Sequence, residues 1–413
     1  MNASLERNIT LYPVYSAAAS AMAWLPVFFL YFSERLTLPE VLLLEAIYYI
    51  AVVITEVPSG YMSDLLGRRR TLLLSCIALL AAYLCFLLSH EFAGFAAGQL
   101  LLAVSIAFKS GTDTAFHYES LQAIGRTDEY GEREAIAGKY GFAATAVAAL
   151  AGGFLGSYHL AWPYVLSLMS ALVALYIVFR FSEVSNDHTT NTPDSFLSQL
   201  TGCFSRLRHP LLLWIFIYSM YMTTFVHIPY EFYQPYLRLL EDRNTLAGIS
   251  APAIAGILFA LTAIVGSIAS AYSIRWQRQL GLTSLLILAA AIELAIITAM
   301  AVMLHPLIAL TVILRSGPMA VVTAPINAAI APLIENRQRA TFLSLQSLAG
   351  RLLFAIVLAG FSLTVADSQG ADWSSLSLLL RISVAIGLAG ILLLWFFSRR
   401  LTRSDSNSRY NKT

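Results

Sequence analysis

Apolar runs of about 20 residues, separated by short polar or charged breaks, recur from one end of the chain to the other. A run of that length is what an α-helix needs to cross a hydrocarbon core roughly 30 Å thick, at about 1.5 Å per residue. The runs predict twelve spans, near 10–33, 40–63, 71–89, 92–118, 136–159 and 161–182, then near 210–236, 250–274, 281–304, 306–333, 341–366 and 376–398. Between the two groups, Glu183 to His209 is the one sizeable hydrophilic interior segment, with SNDHTTNTPDS at its centre. The pattern therefore predicts an all-α integral membrane protein of two six-helix bundles, residues 1–182 and 210–398. A linker at 183–209 joins them and a tail at 399–413 follows.

Composition agrees with the pattern. Of 413 residues, 58% are hydrophobic and 12% charged, with a mean hydropathy of +0.69, more apolar surface than a soluble fold can shelter. The run from Ile9 to Phe32 is long enough to span and stays aromatic to its end, so it reads as a first span rather than a cleaved leader. Net charge is only +2, but its placement is informative. Of 26 Lys and Arg, four lie within spans (Lys109, Arg315, Arg351, Arg381) and three in loops of one side (Arg35, Arg238, Arg243). All the others fall on the opposite side, which the positive-inside rule assigns to the cytoplasm together with both termini. Cys76, Cys85 and Cys203 show no metal or disulfide spacing, and no cofactor is expected. A His-Glu-x-x-His motif, a phosphate-binding glycine loop and a nucleophile–base constellation are all lacking in the sequence, which argues against an enzyme. The basic residues mark a membrane boundary, not a nucleic-acid surface.

The two groups of spans repeat weakly. Lys109-Ser110-Gly111 in the fourth span is echoed by Arg315-Ser316-Gly317 in the tenth at an offset of 206, which also places Gly60 on Gly266 and Arg133 on Arg339. Three coincidences at one offset fit a duplicated six-helix unit, the layout of transporters whose halves rock about a midplane site.

Between the second and third spans the chain reads EVPSGYMSDLLGRRR. Gly60, Asp64, Gly67, Arg68, Arg69 and Arg70 follow the pattern G-x-x-x-D-x-x-G-R-[KR]-[KR], and in a twelve-span chain this resembles the major facilitator superfamily (MFS) of secondary transporters over nearly the full length. SGTDTAFHYESL in the fourth span and RATFLSLQSLAGRL from Arg339 to Leu352 further resemble a bacterial branch of that superfamily. The resemblance implies a multi-pass, monomeric permease of the bacterial cytoplasmic membrane, moving a small-molecule substrate at the expense of a gradient such as protons. It departs from the drug exporters in the fifth span, where ALAGGFLGSY keeps Gly152, Gly153 and Gly156 but lacks their proline.

Two groups of candidate residues follow. The first is a gating latch. Gly60 lets the second span approach another helix closely and Gly67 permits a turn. Asp64 pairs with Arg68, Glu119 is the expected acid for Arg68, and Glu56 lies one turn before Gly60. The second group is a substrate and coupling set. In the fourth span, Lys109, Asp113 and His117 at i, i+4, i+8 share one helical face if the helix is continuous, either as a neutralised pair or as a proton and substrate site. In the second half, Arg315, Arg351, Glu231, Tyr230 and Tyr233 join them, with the two tyrosines read equally as interface residues or ligand contacts. The seventh span is expected to break near Pro229 and Pro235, and the tenth to kink at Pro318, Pro325 and Pro332. Glu293, in the ninth span, is expected to be peripheral. Counting only the central, cavity-type helices, Lys109, Arg315 and Arg351 face fewer deep acids, chiefly Asp113 and Glu231, which points to an anionic or carboxylate-bearing solute such as a siderophore or organic acid. The other readings are a multidrug/proton antiporter and a transporter-like sensor or lipid-moving protein.

Overall fold

A computed structural model describes residues 2–184, 205–334, 336–365 and 371–410. Most of the predicted linker, 185–204, and the last residues of the tail lie outside the described residues. Among the described residues the chain is helical and has no strand. Its helices are α1 (Asn2–Ser20), α2 (Phe28–Ser33), α3 (Leu38–Leu66), α4 (Arg68–Leu88), α5 (Phe92–Lys109), α6 (Thr112–Gln122), α7 (Tyr130–Gly156) and α8 (Trp162–Arg180). After the linker come α9 (Pro210–Asp242), α10 (Ala251–Leu280), α11 (Leu282–Val302), α12 (Pro306–Thr311), α13 (Ser316–Ile330), α14 (Asn336–Ser362) and α15 (Trp373–Tyr410). Eleven helical stretches among the described residues are long and apolar enough to cross a membrane. The first predicted span is divided between α1 and α2 by a turn at residues 23–27, where Pro26 has no N–H to continue an α-helical ladder.

Contacts gather the chain into two compact units, which depart from the sequence halves. The first comprises residues 1–189, 246–260 and 355–371, and the second 190–245, 261–354 and 372–413. The start of α10 and the end of α14 thus belong with the first unit. Backbone proximity explains the former. A Cβ built on Gly153 of α7 would stand 2.6 Å from the Pro252 carbonyl oxygen and 2.9 Å from the Gly256 Cα, so α7 and α10 cross with no room for side chains. Ser157 and Ser250 share a hydrogen bond of 2.5 Å beside this crossing. Ser362 of α14 donates to the Pro39 carbonyl at 2.9 Å.

Within lipid the hydrophobic effect does not drive helix against helix, so packing and interhelical hydrogen bonds hold the units. In the first, Tyr12, Tyr15, Leu72, Cys76, Phe116 and Phe181 form a buried cluster across α1, α4 and α6 and the end of α8. Trp24 donates to the Tyr83 hydroxyl at 3.0 Å and Tyr31 to the Phe86 carbonyl at 2.7 Å. In the second, Trp214 and Tyr218 of α9 donate to the carbonyls of Leu394 and Leu286, each at 2.9 Å. These two bonds tie α9 to α15 and α11.

Two expectations are corrected. The seventh span is not broken: α9 runs through Pro229 and Pro235 as one helix of 33 residues. The interruption of the tenth span lies ahead of its prolines, where Val312–Arg315 is a 3-10 turn between α12 and α13. Pro318 follows this turn, and its ring and missing N–H disfavour an α-helical bond back to Leu314.

Candidate functional site

The α3–α4 loop is built around Gly67. Its φ of +90° suits only glycine, and a Cβ there would stand 2.9 Å from Glu183 Oε1. Glu183 occupies that space because the Arg69 backbone N–H donates to its carboxylate at 3.1 Å, placing a negative charge at the N-terminus of α4. Arg68 meets three partners: Nε to Glu119 Oε1 at 3.0 Å, Nη1 to Asp64 Oδ1 at 2.7 Å, and Nη1 to Ser63 Oγ at 2.8 Å. Thr112 at the start of α6 also donates to Ser63 Oγ, at 3.1 Å, so α3, α4 and α6 are joined at their basic end. Glu56 is half-buried, two turns before Asp64 on α3. Gly60 is exposed, and a Cβ on it would meet no atom of the described residues within 4 Å.

Lys109, Asp113 and His117 do not share a continuous face, because the fourth span is cut between α5 and α6. Gly111 adopts a left-handed conformation, φ +74°, and Thr112 begins a new helix. No ion pair forms between Lys109 and Asp113 among the described residues; Asp113 Oδ1 instead accepts from the Thr114 backbone N–H at 2.8 Å. His117 is 1% exposed. Its Nδ1 lies 2.7 Å from Glu134 Oε2 of α7, and its ring stacks on Tyr12 of α1 at 3.9 Å. A carboxylate accepts, so the Nδ1 proton points at Glu134, while Nε2 is buried without a hydrogen-bond partner. Asp113 lies within electrostatic reach of Glu134 and Tyr12. This group of acid, imidazole and phenol can accept and pass a proton.

In the second unit, polar side chains of three helices meet at one cavity. Ser219 and Thr223 of α9, Thr323 and Asn327 of α13, and Gln346 and Ser347 of α14 line a cavity of about 170 Å³. Typical small-ligand pockets occupy about 300–1,000 Å³, so the cavity suits one part of a solute. His227 lies one turn beyond Thr223 on α9, Arg351 one turn beyond Ser347 on α14, and Arg315 two turns before Thr323, ahead of α13. Arg315 is 9% exposed, with its guanidinium 5.0 Å from the Tyr230 ring centre and 5.9 Å from that of Tyr233. His227 Nδ1 donates to the Thr223 carbonyl at 2.5 Å and lies within electrostatic reach of Arg315 and Arg351. Glu231 and Gln234 of α9 are fully buried. Among the described residues no group of three or more His, Cys, Asp or Glu could hold a metal ion.

A sequence profile described as Major Facilitator Superfamily matches residues 11–358. The chain belongs to that superfamily. It is thus a multi-pass integral membrane protein of a transporter family. Among solved structures, the superfamily member is similar to the nucleoside transporter NupG, at 13% identity and TM-score 0.76, covering 94% of this chain and 98% of that one. It is also similar to a D-xylose–proton symporter, at 13% identity and TM-score 0.63 over 95% and 98% of the two chains. A bacterial homologue of the iron transporter ferroportin, in an inward-facing state, gives 16% identity and TM-score 0.65 over 95% and 98%. At such identities the likeness is one of fold. No match was found among curated proteins.

Three carboxylates of this superfamily member escaped the sequence reading. Glu134 lies near the polar start of the fifth span, and only folding brings it to His117. Glu45 of α3 is buried and accepts from Gln99 Nε2 of α5 at 2.8 Å. Glu293, expected to be peripheral, is 0% exposed, and both of its carboxylate oxygens are buried without a hydrogen-bond partner. A charge in the middle of a membrane helix costs about 2.5–3.5 kcal/mol on insertion scales, so such a position is a strong structural signal. Helix α11 is apolar all round, which left its sequence with no face to mark as buried.

Proposed function

We propose that the protein is a secondary transporter of the bacterial cytoplasmic membrane, monomeric, with both termini in the cytoplasm, which couples a small solute to protons by alternating access. The solute carries a carboxylate or another anionic group beside hydroxyls, as organic acids and siderophores do. The observation that carries this reading is the cavity of the second unit and the arginines near it. Hydroxyl and amide side chains set among Met222, Met319, Val322, Ile326 and Leu343 suit a solute with polar groups on an apolar frame, and Arg351 and Arg315 lie one and two turns from the cavity along their chains. Tyr230 and Tyr233, against which Arg315 rests, hold the guanidinium in one place.

The remaining residues take supporting roles in the same reading. Arg68 with Asp64 and Glu119 fastens the basic ends of α3, α4 and α6 into one block, with Gly67 making the turn and Glu56 and Gly60 on the approach. A block of this kind can move as a gate. Asp113, His117 and Glu134 form a proton relay, with Lys109 one break away on α5. The test is uptake into proteoliposomes of radiolabelled citrate as a hydroxy-acid probe, xylose as a neutral polyol and tetraphenylphosphonium as a lipophilic cation. Citrate uptake that rises with an inward proton gradient and falls in Arg315→Ala and Arg351→Ala is expected. Unchanged citrate uptake in both variants would sink the anionic reading, and uptake indifferent to the gradient would sink the coupling.

A further inference from the structure

We propose that Glu293 is the proton-binding carboxylate of the transport cycle, and that its protonation state sets the net charge around Arg315 and so the affinity for an anionic solute. The proposal rests on the proton-coupled anion reading above and adds to it the group that links the two. It starts from an imbalance. Glu293 sits in the body of α11, wholly buried, and neither carboxylate oxygen receives a hydrogen bond. A carboxylate ion in a dry interior is held by donors or a cation, and a neutral carboxylic acid tolerates their absence.

Among the described residues the surroundings provide one cation in electrostatic reach and no hydrogen-bond donor to the carboxylate. Helix α11 packs against α9, α12, α13, α15 and the 3-10 turn that carries Arg315. From α9, Tyr218 and Tyr221 are in electrostatic reach of Glu293, but their hydroxyls donate elsewhere, to the carbonyls of Leu286 and Gly387. Arg315, on the 3-10 turn, is the basic group within reach. Helices α12 and α13 carry no charged residue, His305 at the α12 N-cap engages the Leu307 N–H, and Arg381 of α15 is exposed. The site therefore has two charge states. With the proton on Glu293, no charge on α11 opposes the Arg315 guanidinium, and an anion is drawn to it more strongly. Once the proton leaves for water, the Glu293 carboxylate opposes Arg315 and the attraction for an anion weakens. Proton and anion thus favour each other's binding, and neither step forms or breaks any bond besides that of the proton to a carboxylate oxygen.

Two measurements on the full-length protein test the assignment. In the first, purified wild type, Glu293→Gln, Glu293→Asp and Glu231→Gln are titrated by infrared spectroscopy in lipid nanodiscs. A protonated-carboxyl band that persists at neutral pH, disappears in Glu293→Gln, shifts in Glu293→Asp and survives in Glu231→Gln is expected. The same band, unmoved, in both Glu293 variants overturns the proposal, and Glu293→Asp keeps the test open if the glutamine variant does not fold. In the second, citrate uptake is compared in proteoliposomes. The wild-type KM for citrate should rise severalfold from about pH 6 to pH 8, and that of Glu293→Gln should stay flat while gradient-driven accumulation is lost. Coupled uptake in both proteins would overturn the role of Glu293 and leave the function standing. Absence of citrate uptake in the wild type would instead fell the anionic reading, and the infrared result would then decide Glu293 alone.

Discussion

The two halves interrupt the same place by different means. Lys109-Ser110-Gly111 and Arg315-Ser316-Gly317 occupy equivalent positions of the repeat, and each lies where an expected span is cut. In the first half the cut is made by Gly111 in a left-handed conformation, and Lys109, within electrostatic reach of Asp113, is only half-buried. In the second it is the 3-10 segment Val312–Arg315, three residues ahead of Pro318, and Arg315 is sheltered against two tyrosine rings. Discontinuous helices at matching positions of two repeats are where transporters of this architecture place their sites. The difference shows that the repeat preserves the interruption and not the chemistry beside it. One break lies beside Asp113 and the His117–Glu134 pair, the other beside Arg315 and its two tyrosine rings.

The sharpest way to break this contrast is to remove the two basic residues in turn. A desolvated guanidinium over aromatic rings is worth about 2 kcal/mol, or roughly thirtyfold in a rate constant. Arg315→Ala is therefore expected to lower uptake about thirtyfold, and Lys109→Ala by less than about threefold, since Lys109 has no comparable shelter. Equal losses measured by initial rates in proteoliposomes would show that the two positions act alike. Arg315→Lys separates charge from shape: it keeps the former and loses the planar stack, so it should recover only part of the rate.

The cost of the two glycines comes next. Gly111 sits at positive φ, where any other L-residue is strained by about 1–2 kcal/mol, so Gly111→Ala should lower the thermal midpoint of the purified protein. Gly317 lies inside α13, where an added Cβ would meet Val265 and Ala269 at ordinary distances of 3.5 and 4.0 Å. Gly317→Ala should be neutral or stabilising by up to about 1 kcal/mol. A midpoint that falls equally in both variants would show that the shared triplet, not the local backbone, governs the break.

This pair also marks how far the sequence could be read. Hydropathy located the spans because membrane crossing is a property of local composition, and the spacing of Asp64, Gly67 and Arg68 indicated which residues meet at the loop, with Glu119 arriving at Arg68 as expected. The triplet repeat was visible, yet glycine in an apolar run is common in membrane helices and does not say whether it bends them. Burial was the larger blind spot. In α11, apolar on every face, nothing distinguishes a lipid-facing carboxylate from one facing protein, so Glu293 was placed at the periphery. Glu134 and Glu183 are surface-like by sequence and gain their contacts to His117 and to the α4 N-terminus only through tertiary packing.

Pro318→Ala is the mildest perturbation and tests why the second break exists. Restoring an N–H and removing the ring permits an α-helical ladder through Val312–Arg315. A 3-10 turn advances about 120° per residue and an α-helix about 100°, so converting four residues re-aims the preceding α12 against α13 by roughly 80°. Its effect on stability should be small, because the gained hydrogen bond offsets the altered packing of a short helix. Arg315, however, would lose its alignment with Tyr230 and Tyr233, and the KM for citrate should rise about threefold with little change in thermal midpoint. A KM that stays fixed would mean that neighbouring helices alone hold the guanidinium in place, and that the proline of the second half, unlike the glycine of the first, is incidental to the break it adjoins.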